Sequence, residues 1–357
     1  ALPVKDSRGR MMAVMGLYGR YPAMFEPAAM RSVLRGLEQI YARGMVALMI
    51  RHGDALLPAQ DRRAWRQRLF SGGLEMHYQP VVDLHCGRPR AVEALARLRL
   101  DDGRLVPPGL FLPSFGTSEL TRLFTLGLSQ ALQQLRAWDD QGLQLDLSIN
   151  LPPDVLLLPD CARWVGDALQ EQHIAPQRLR LEVLEDADFH NAAESDAAVR
   201  RLAAIGVRLV MDDLGSGYSS LLRLRTLPFH TVKIDQALVR QIPQETEEQA
   251  AGTIGFIGAL VRMTQGLGLH VVVEGLETAA LVEMAAVLGA DGGQGYALAK
   301  PMPAADLPAW IAAFGCVTCS GRPQTALGRI AQQWCDAQAA GRAAGQAPAA
   351  PALLERQ

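Results

Sequence analysis

Asp212 and Asp213 stand side by side in "VRLVMDDLGSGYSSLLRLRTLPFHTVKID" (residues 207–235), where an apolar run stops. A Gly-rich turn follows, and a lone cation, Lys233, lies near the end of the next apolar run. Adjacent carboxylates repel. In a solvated turn that is harmless; at the mouth of a parallel sheet it is costly unless a cation sits there. Other apolar runs end in the same way. Glu93 closes the second, with Arg97 beyond it, and Asn150 closes the third. Glu182 closes the fourth, with Glu185 beyond. Lys233 and Asp235 close the sixth, Glu274 and Glu277 the seventh, and Gln294 the eighth. Each has an ordinary structural reading: Asp213 as a turn cap, Glu185 as a solvated helix start, Lys233 as a snorkelling strand-end lysine. Gathered on one rim, they form an oxygen-donor set of carboxylates and one Asn amide, without His. Hard divalent cations such as Mg²⁺ or Mn²⁺ prefer such a set. Paired metals about 3.5–4 Å apart clamp the attacking and leaving oxygens of a phosphoryl displacement. Lys233 would hold the attacking water or offset phosphate charge, and Arg97 would grip a phosphate oxygen. The residues point to metal-assisted phosphoester hydrolysis. Ca²⁺, larger and demanding more ligands at longer distances, is expected to inhibit.

The elements that must position these groups alternate between strand and helix. "LEMHYQPVV" and "RAVEALARL" read as strands, followed by the helical spacing of "TRLFTLGLSQALQQLRAW". "QLDLSIN", "LRLEV", "VRLVMD", "TVKI" and "LHVVVE" read as further strands. Between them lie the helices "CARWVGDALQEQ", "ESDAAVRRLAAI" and "TEEQAAGTIGFIGALVRMTQ"; "TAALVEMAAVL" follows, and "DGGQGYAL" closes the series. About eight strands in about 230 residues suit a closed (β/α)8 barrel, whose strand C-termini converge on one functional face. Residues 1–67 read as a helical N-terminal segment or the end of an upstream domain. The barrel is expected over 68–315. A C-terminal extension over 316–357, rich in Ala, Gly and Pro, is expected to be largely disordered from about 337.

The chain has 357 residues and a formal net charge of −2, which gives no support for a nucleic-acid polymer as partner. No apolar run approaches the roughly 18 residues of a membrane span, and no signal peptide is evident. A cytoplasmic location is expected. The first residue is Ala rather than Met, as expected of a piece excised from a longer protein. Five Cys make no disulfide framework; Cys316 and Cys319 form one C-x-x-C, and with Cys335 they lack the fourth ligand of a structural zinc site.

"YQPVVDLHCGRPRAVEALARL" resembles the start of an EAL domain, the bacterial cyclic di-GMP phosphodiesterase. Glu93-Ala94-Leu95 is the name motif, and "SIN", "EVLE", "DDLGSGYSSL", "KID", "EGLET" and "QGYALAKP" follow in family order. The resemblance covers about residues 68–313. It implies a TIM-like (β/α)8 barrel whose first strand is antiparallel, hydrolysis of cyclic di-GMP to linear pGpG, and Mg²⁺ or Mn²⁺ at a two-metal site. By resemblance, Glu93, Asn150, Glu182 and Asp212 match ligands of a first metal, and Asp212 bridges to a second that Asp213 helps bind. Lys233 matches the lysine near the attacking water, and Glu274 the general base or second-metal ligand. Gln79 and Arg97 match substrate contacts. Gln294, also read as a substrate contact, and Glu277 match supporting site residues. Asp235 belongs to the same support, and Glu185 matches the residue that steadies the Gly-rich loop.

The chain departs from the pattern at Leu214, where Phe is usual, at Leu184, where Thr is common, and at Pro152 and Gly116. None is a metal position. Two other functions are conceivable. A non-catalytic cyclic di-GMP receptor typically lacks some metal ligands, whereas this chain lacks none. A Schiff-base aldolase using Lys233 needs a depressed lysine pKa, which a ring of carboxylates opposes. The resemblance also implies a homodimer through the loop and helix after Asp213. The upstream partner would be a sensory or cyclase-type domain.

Overall fold

The computed structural model describes residues 2–5, 11–15, 59–184, 192–214, 220–315 and 322–345. The chain divides into two compact units, 1–66 and 67–357. In the first, strands β1 (Leu2–Lys5) and β2 (Met11–Met15) pair antiparallel. Over these residues the expected helical N-terminal segment is corrected to a strand pair. "MMAVM" is a five-residue apolar run, a strand length rather than a helix length. The expected second helix is present as Ala59–Arg68. The expected helix "EPAAMRSVLRGLEQIYARGM" lies outside the described residues.

The second unit is a closed barrel. Its staves are β3 (Leu74–Asp83), β4 (Arg88–Arg99), β6 (Asp146–Asn150), β7 (Leu179–Leu184), β8 (Arg208–Leu214), β9 (Phe229–Ile234), β10 (His270–Val273) and β11 (Gly292–Gly293). Two-residue strands β5 (Leu105–Val106) and β12 (Met302–Pro303) extend the pairing at β4 and β3. β4 and β6 to β11 pair parallel in series. β3 closes the ring antiparallel to both β4 and β11. The hairpin explains the reversal: four residues join β3 to β4, enough for a turn and far too few for a parallel crossover.

The staves read as near-continuous apolar runs because both faces are covered. Along β3, Tyr78 points outward and meets Trp138 of the Thr117–Asp140 helix edge-to-face, with ring centroids 4.7 Å apart. Val82, Val271, Val273 and Ile234 are fully buried beneath the Glu247–Gly266 and Ala279–Val287 helices. Thr246 and Gln249 form a capping box at the start of the first of these, and Thr278 caps the second.

A helix over Ala326–Gly345 packs on the same two helices. Glu283 holds its approach, accepting hydrogen bonds from Gln324 N and Thr325 N at 2.7 Å each. Trp334 lies across the Glu247–Gly266 helix at Gly258, where a Cβ would approach its ring to 2.5 Å. Arg262 stacks over that ring at 4.4 Å. This helix runs through 337, the expected onset of disorder, to Gly345. The Ala-rich composition that suggests disorder also has the best intrinsic helix propensity, and Trp334 anchors it. Cys316 and Cys319 lie outside the described residues. No described helix is long and apolar enough to cross a membrane.

Candidate active site

At the C-terminal end of the parallel staves lies a cleft of about 540 Å³. Its floor is a ring of charged side chains around Lys233, which is 3% exposed. Lys233 Nζ lies 2.6 Å from Glu274, 3.0 Å from Glu182, 3.1 Å from Glu93 and 3.7 Å from Asp212. These residues come from β4, β7, β8, β9 and the end of β10. Each is set by the strand alternation that turns every second side chain into the barrel. Asn150 Nδ2 donates to Glu93 Oε1 at 2.8 Å, and Gln294 Nε2 donates to Glu93 Oε2 at 2.8 Å. Gln294 Nε2 also reaches Gln79 Oε1 at 3.2 Å, and Gln79 Nε2 donates to Ala299 O at 3.0 Å.

Strict alternation would send Asp212 and Asp213 to opposite faces. It fails here for a visible reason. The β8–β9 register slips between Met211 and Leu214, a bulge, and Asp213 adopts φ +59°. Left-handed backbone costs a non-Gly residue about 1–2 kcal/mol, and Asp tolerates it better than most. The bulge brings carboxylate oxygens of Asp212, Asp213 and Glu274 within 4.8 Å of one another. On the neighbouring stave, Gly295 lets the chain after Gln294 pass Leu276, where a Cβ would lie 2.3 Å from backbone N and O. That close approach seats Gln294 beside Glu93.

Burial and like charge set the proton affinities. Burial raises Glu182 well above the usual carboxylate range, and Glu93 adds to this. Burial raises Asp212, only partly offset by Lys233. Asp213 is pushed up to about 6 by burial, Asp212 and Asp235. Glu274 is pushed up to about 7 by burial, against the pull of Lys233. Burial also opposes charge on Glu93, yet Lys233, Gln294 and Asn150 together hold it below the usual value. Lys233 would be lowered by burial, but Glu182, Glu274 and Glu93 drive it well above the ordinary lysine range. A lysine so held is an ammonium, not a Schiff-base amine.

The carboxylates outnumber the cation among them. Asp212 Oδ1 is buried and accepts no hydrogen bond. A buried acceptor without a donor, beside two further carboxylates and in an all-oxygen set, fits a hard divalent cation. Glu93, Asn150, Glu182, Asp212, Asp213 and Glu274 are the residues positioned to hold it.

The remaining expected site residues are less uniform. Arg97 lines the cleft half-buried, with Nη1 donating to Ala96 O at 2.9 Å. Gln79 and Gln294 also line it, but their amides are engaged with each other and with Glu93. Glu277 lines the mouth, paired with Arg240 at 2.7 Å. Asp235 caps the Gln236–Arg240 helix, accepting from Ala237 N at 2.9 Å. Glu185 and the turn at 215–219 lie outside the described residues. Leu214 is 2% exposed in the core, whereas Leu184 stands on the rim. Sequence reasoning missed Arg240 and Tyr296, both in the cleft wall. Tyr296 is 52% exposed, with Lys300 Nζ 5.4 Å from its ring centre. Its place two residues after Gln294 was the available signal.

The family model "EAL domain" matches residues 62–301. Over 249 residues the chain is 34% identical to the bifunctional diguanylate cyclase/cyclic di-GMP phosphodiesterase MucR of Pseudomonas aeruginosa; this covers 69% of the chain and 36% of that relative. It is 34% identical over 236 residues to the cyclic di-GMP phosphodiesterase RocR of the same organism, covering 66% of the chain and 59% of the relative. The solved structure of the PaMucR phosphodiesterase in complex with c-di-GMP superposes with a TM-score of 0.64 at 34% identity. It covers 70% of this chain and 99% of that one.

Proposed function

The chain belongs to the EAL domain family, and from that premise we propose that it is a metal-dependent phosphodiesterase hydrolysing cyclic di-GMP to linear pGpG. One observation carries the reading: an oxygen-donor ring on the functional rim of the barrel, in which buried Asp212 Oδ1 lacks any hydrogen-bond donor. Mg²⁺ or Mn²⁺ is the cation such a ring suits: Glu93, Asn150, Glu182 and Asp212 would hold it at one position, and Asp212 and Asp213 at a second, with Glu274 left free to act as the base. When bound, the metals supply Lewis acidity and charge compensation at the phosphate.

The protein groups do the rest. Arg97, on the cleft wall, holds a phosphate oxygen and fixes the diester over the ring. Gln79 and Gln294 share one hydrogen-bond chain with Glu93, which orients that carboxylate and the floor against the substrate. Lys233 keeps a positive charge beneath the position of the attacking water. Glu274 accepts the proton of that water as its oxygen bonds to phosphorus. The P–O3′ bond breaks, the 3′ oxygen takes up a proton from solvent, to which Glu274 gives up its own, and pGpG leaves with a 5′ phosphate. Preorganised charge at the point where charge develops is the main catalytic contribution of such a site.

A homodimer contact through the segment from Asp213 to Leu224, an upstream sensory or cyclase-type domain as regulatory input, and a cytoplasmic setting belong to the same proposal. The deciding experiment incubates the purified chain with cyclic di-GMP, with Mg²⁺, with Mn²⁺ and with EDTA, and follows pGpG by chromatography. pGpG is expected with either metal, none with EDTA, and none from Glu93→Gln. Tight binding of cyclic di-GMP without pGpG would instead make the chain a receptor. Light scattering tests the dimer, which a monomer at high concentration would exclude.

A further inference from the structure

A second cleft, of about 710 Å³, opens at the opposite end of the barrel. It is built from the N-terminal ends of the parallel staves and the C-terminal end of antiparallel β3. Residues two apart on a strand share a face. Val81, Ala91 and Val272 therefore lie one layer below Gln79, Glu93 and Glu274. They form a separate buried apolar cluster that floors this lower cleft.

Around the floor run two arginines and two histidines. Arg180 and Arg208 are register partners on β7 and β8. His230 lies near the start of β9, and His270 opens β10 opposite Thr231. One carboxylate, Asp146, takes both Arg180 at 2.6 Å and Arg208 at 3.2 Å. Arg180 Nε is buried with no acceptor. Asp83 and Asp291 also line the cleft, but the first is paired with Arg90 at 3.6 Å. The second is paired with His85 at 3.2 Å and accepts from Val271 N at 2.8 Å. His270 reaches Asp291 only at 4.0 Å. Arg178, the remaining guanidinium, is held by Asp139 and Leu145 O. Burial lowers the His230 pKa, and Arg208 and His270 lower it further, which favours the neutral imidazole.

The end of a barrel opposite its functional rim ordinarily serves stability alone. Strand-tying accounts for the Arg178 and Asp146 pairs. It leaves two guanidiniums on one carboxylate and the buried Arg180 Nε without an acceptor. An apolar floor beside a cationic wall, in a volume typical of small-molecule sites at about 300–1,000 Å³, suits a ligand with an anionic end and a flat apolar body. We infer that the lower cleft is a binding site for a phosphorylated small molecule of nucleoside-monophosphate size. Its phosphate lies among Arg180, Arg208, His230 and His270. Its ring covers Val81, Ala91, Val272 and Phe229. This site is distinct from the upper one and does not depend on the activity proposed there.

The test is calorimetric titration of the whole chain with AMP and, separately, with inorganic phosphate, both in EDTA at low salt. AMP is expected to bind, and more tightly than phosphate because of the apolar floor. A charge-assisted hydrogen bond is worth a factor of about ten or more. Arg208→Gln, which leaves the Arg180–Asp146 pair in place, should weaken AMP by about that factor. Arg97→Ala, in the upper cleft, should leave AMP affinity as in wild type. Should Arg208→Gln fail to fold, His270→Gln on the exposed edge gives the same comparison with a smaller loss. No AMP binding at low-millimolar concentration would overturn the inference. So would affinity no better than that of phosphate, or a loss that follows Arg97 rather than Arg208 or His270.

Discussion

Replacing Lys233 by Met tests how the ring is held together without metal. The substitution keeps an unbranched stem of similar length and removes the ammonium. Lys233 Nζ is within 3.1 Å of Glu93, Glu182 and Glu274, and no group in the ring is more than slightly exposed. Leaving buried carboxylates without their partner typically costs about 3–5 kcal/mol. In a domain of roughly 150–250 residues, 1 kcal/mol moves Tm by about 2–4 °C. In EDTA the variant should therefore melt about 6–20 °C below wild type. The direction of the metal effect follows from the same geometry. In wild type the ammonium already neutralises part of the ring; in Lys233→Met only a divalent cation can. Mg²⁺ should raise the variant's Tm more than it raises that of wild type. Thermal unfolding by near-UV circular dichroism, with EDTA and then with Mg²⁺, measures both. Equal melting in EDTA, or equal Mg²⁺ shifts in the two proteins, would refute the view that Lys233 and the metals share one electrostatic task.

Turnover with Ca²⁺ as the only divalent ion should be close to nil, because its longer bonds misplace the phosphate, and the pGpG assay reads this directly. Without metal, stability should fall as pH rises. Glu274 is raised from 4.5 to about 7, so its protonated form contributes stability below about 4.5 that is lost through about 7. A rise of that size corresponds to about 3 kcal/mol, and urea melts in EDTA between pH 4.5 and 7.5 should show it, with Mg²⁺ flattening the slope. Asp213→Gly should stabilise the metal-free chain by roughly 1 kcal/mol, since Gly adopts φ +59° freely, while activity is lost with the carboxylate. Asp213→Asn should lose activity without that gain, and a melt of both variants separates strain from charge. Gln294→Ala removes a buried donor to Glu93 at 2.8 Å and should cost about 1.5–3 kcal/mol. An unchanged melt would show that the Gln79–Gln294–Glu93 chain contributes nothing.

The barrel was legible because its signals are periodic and local. Each stave is a short apolar run, each helix has its own spacing, and the family motifs sit where staves end. Even the reversed first strand has a local sign, the short "LHCG" turn between "YQPVVD" and "RPRAVEAL". The two expectations that needed correction concern segments with weak periodicity. "MMAVM" has a strand's length, but only its partner Leu2–Lys5 makes it one. Residues 337–345 are as compatible with helix as with disorder until Trp334 docks on Gly258.

Which residues form the rim could be read from spacing; how they are wired could not. Asp212 and Asp213 illustrate the difference. Their adjacency argues against a shared site under simple alternation, and it takes a register slip with a left-handed residue to bring them together. Nothing in the residue types announces that slip, since Asp is tolerated both in the left-handed region and in an ordinary turn. Lys233 looks like one cation near a site, but the fold makes it the hub of four carboxylates from four other places in the chain. Asp235, two residues later, looks equivalent and is a helix cap. The distinction is geometric: Lys233 faces inward on the last turn of β9, whereas Asp235 lies past its end, where the chain has turned to start a helix. Ligand-type residues at strand ends thus identify a rim, while the roles on it are assigned by bulges and caps, features set by tertiary pairing rather than by local sequence.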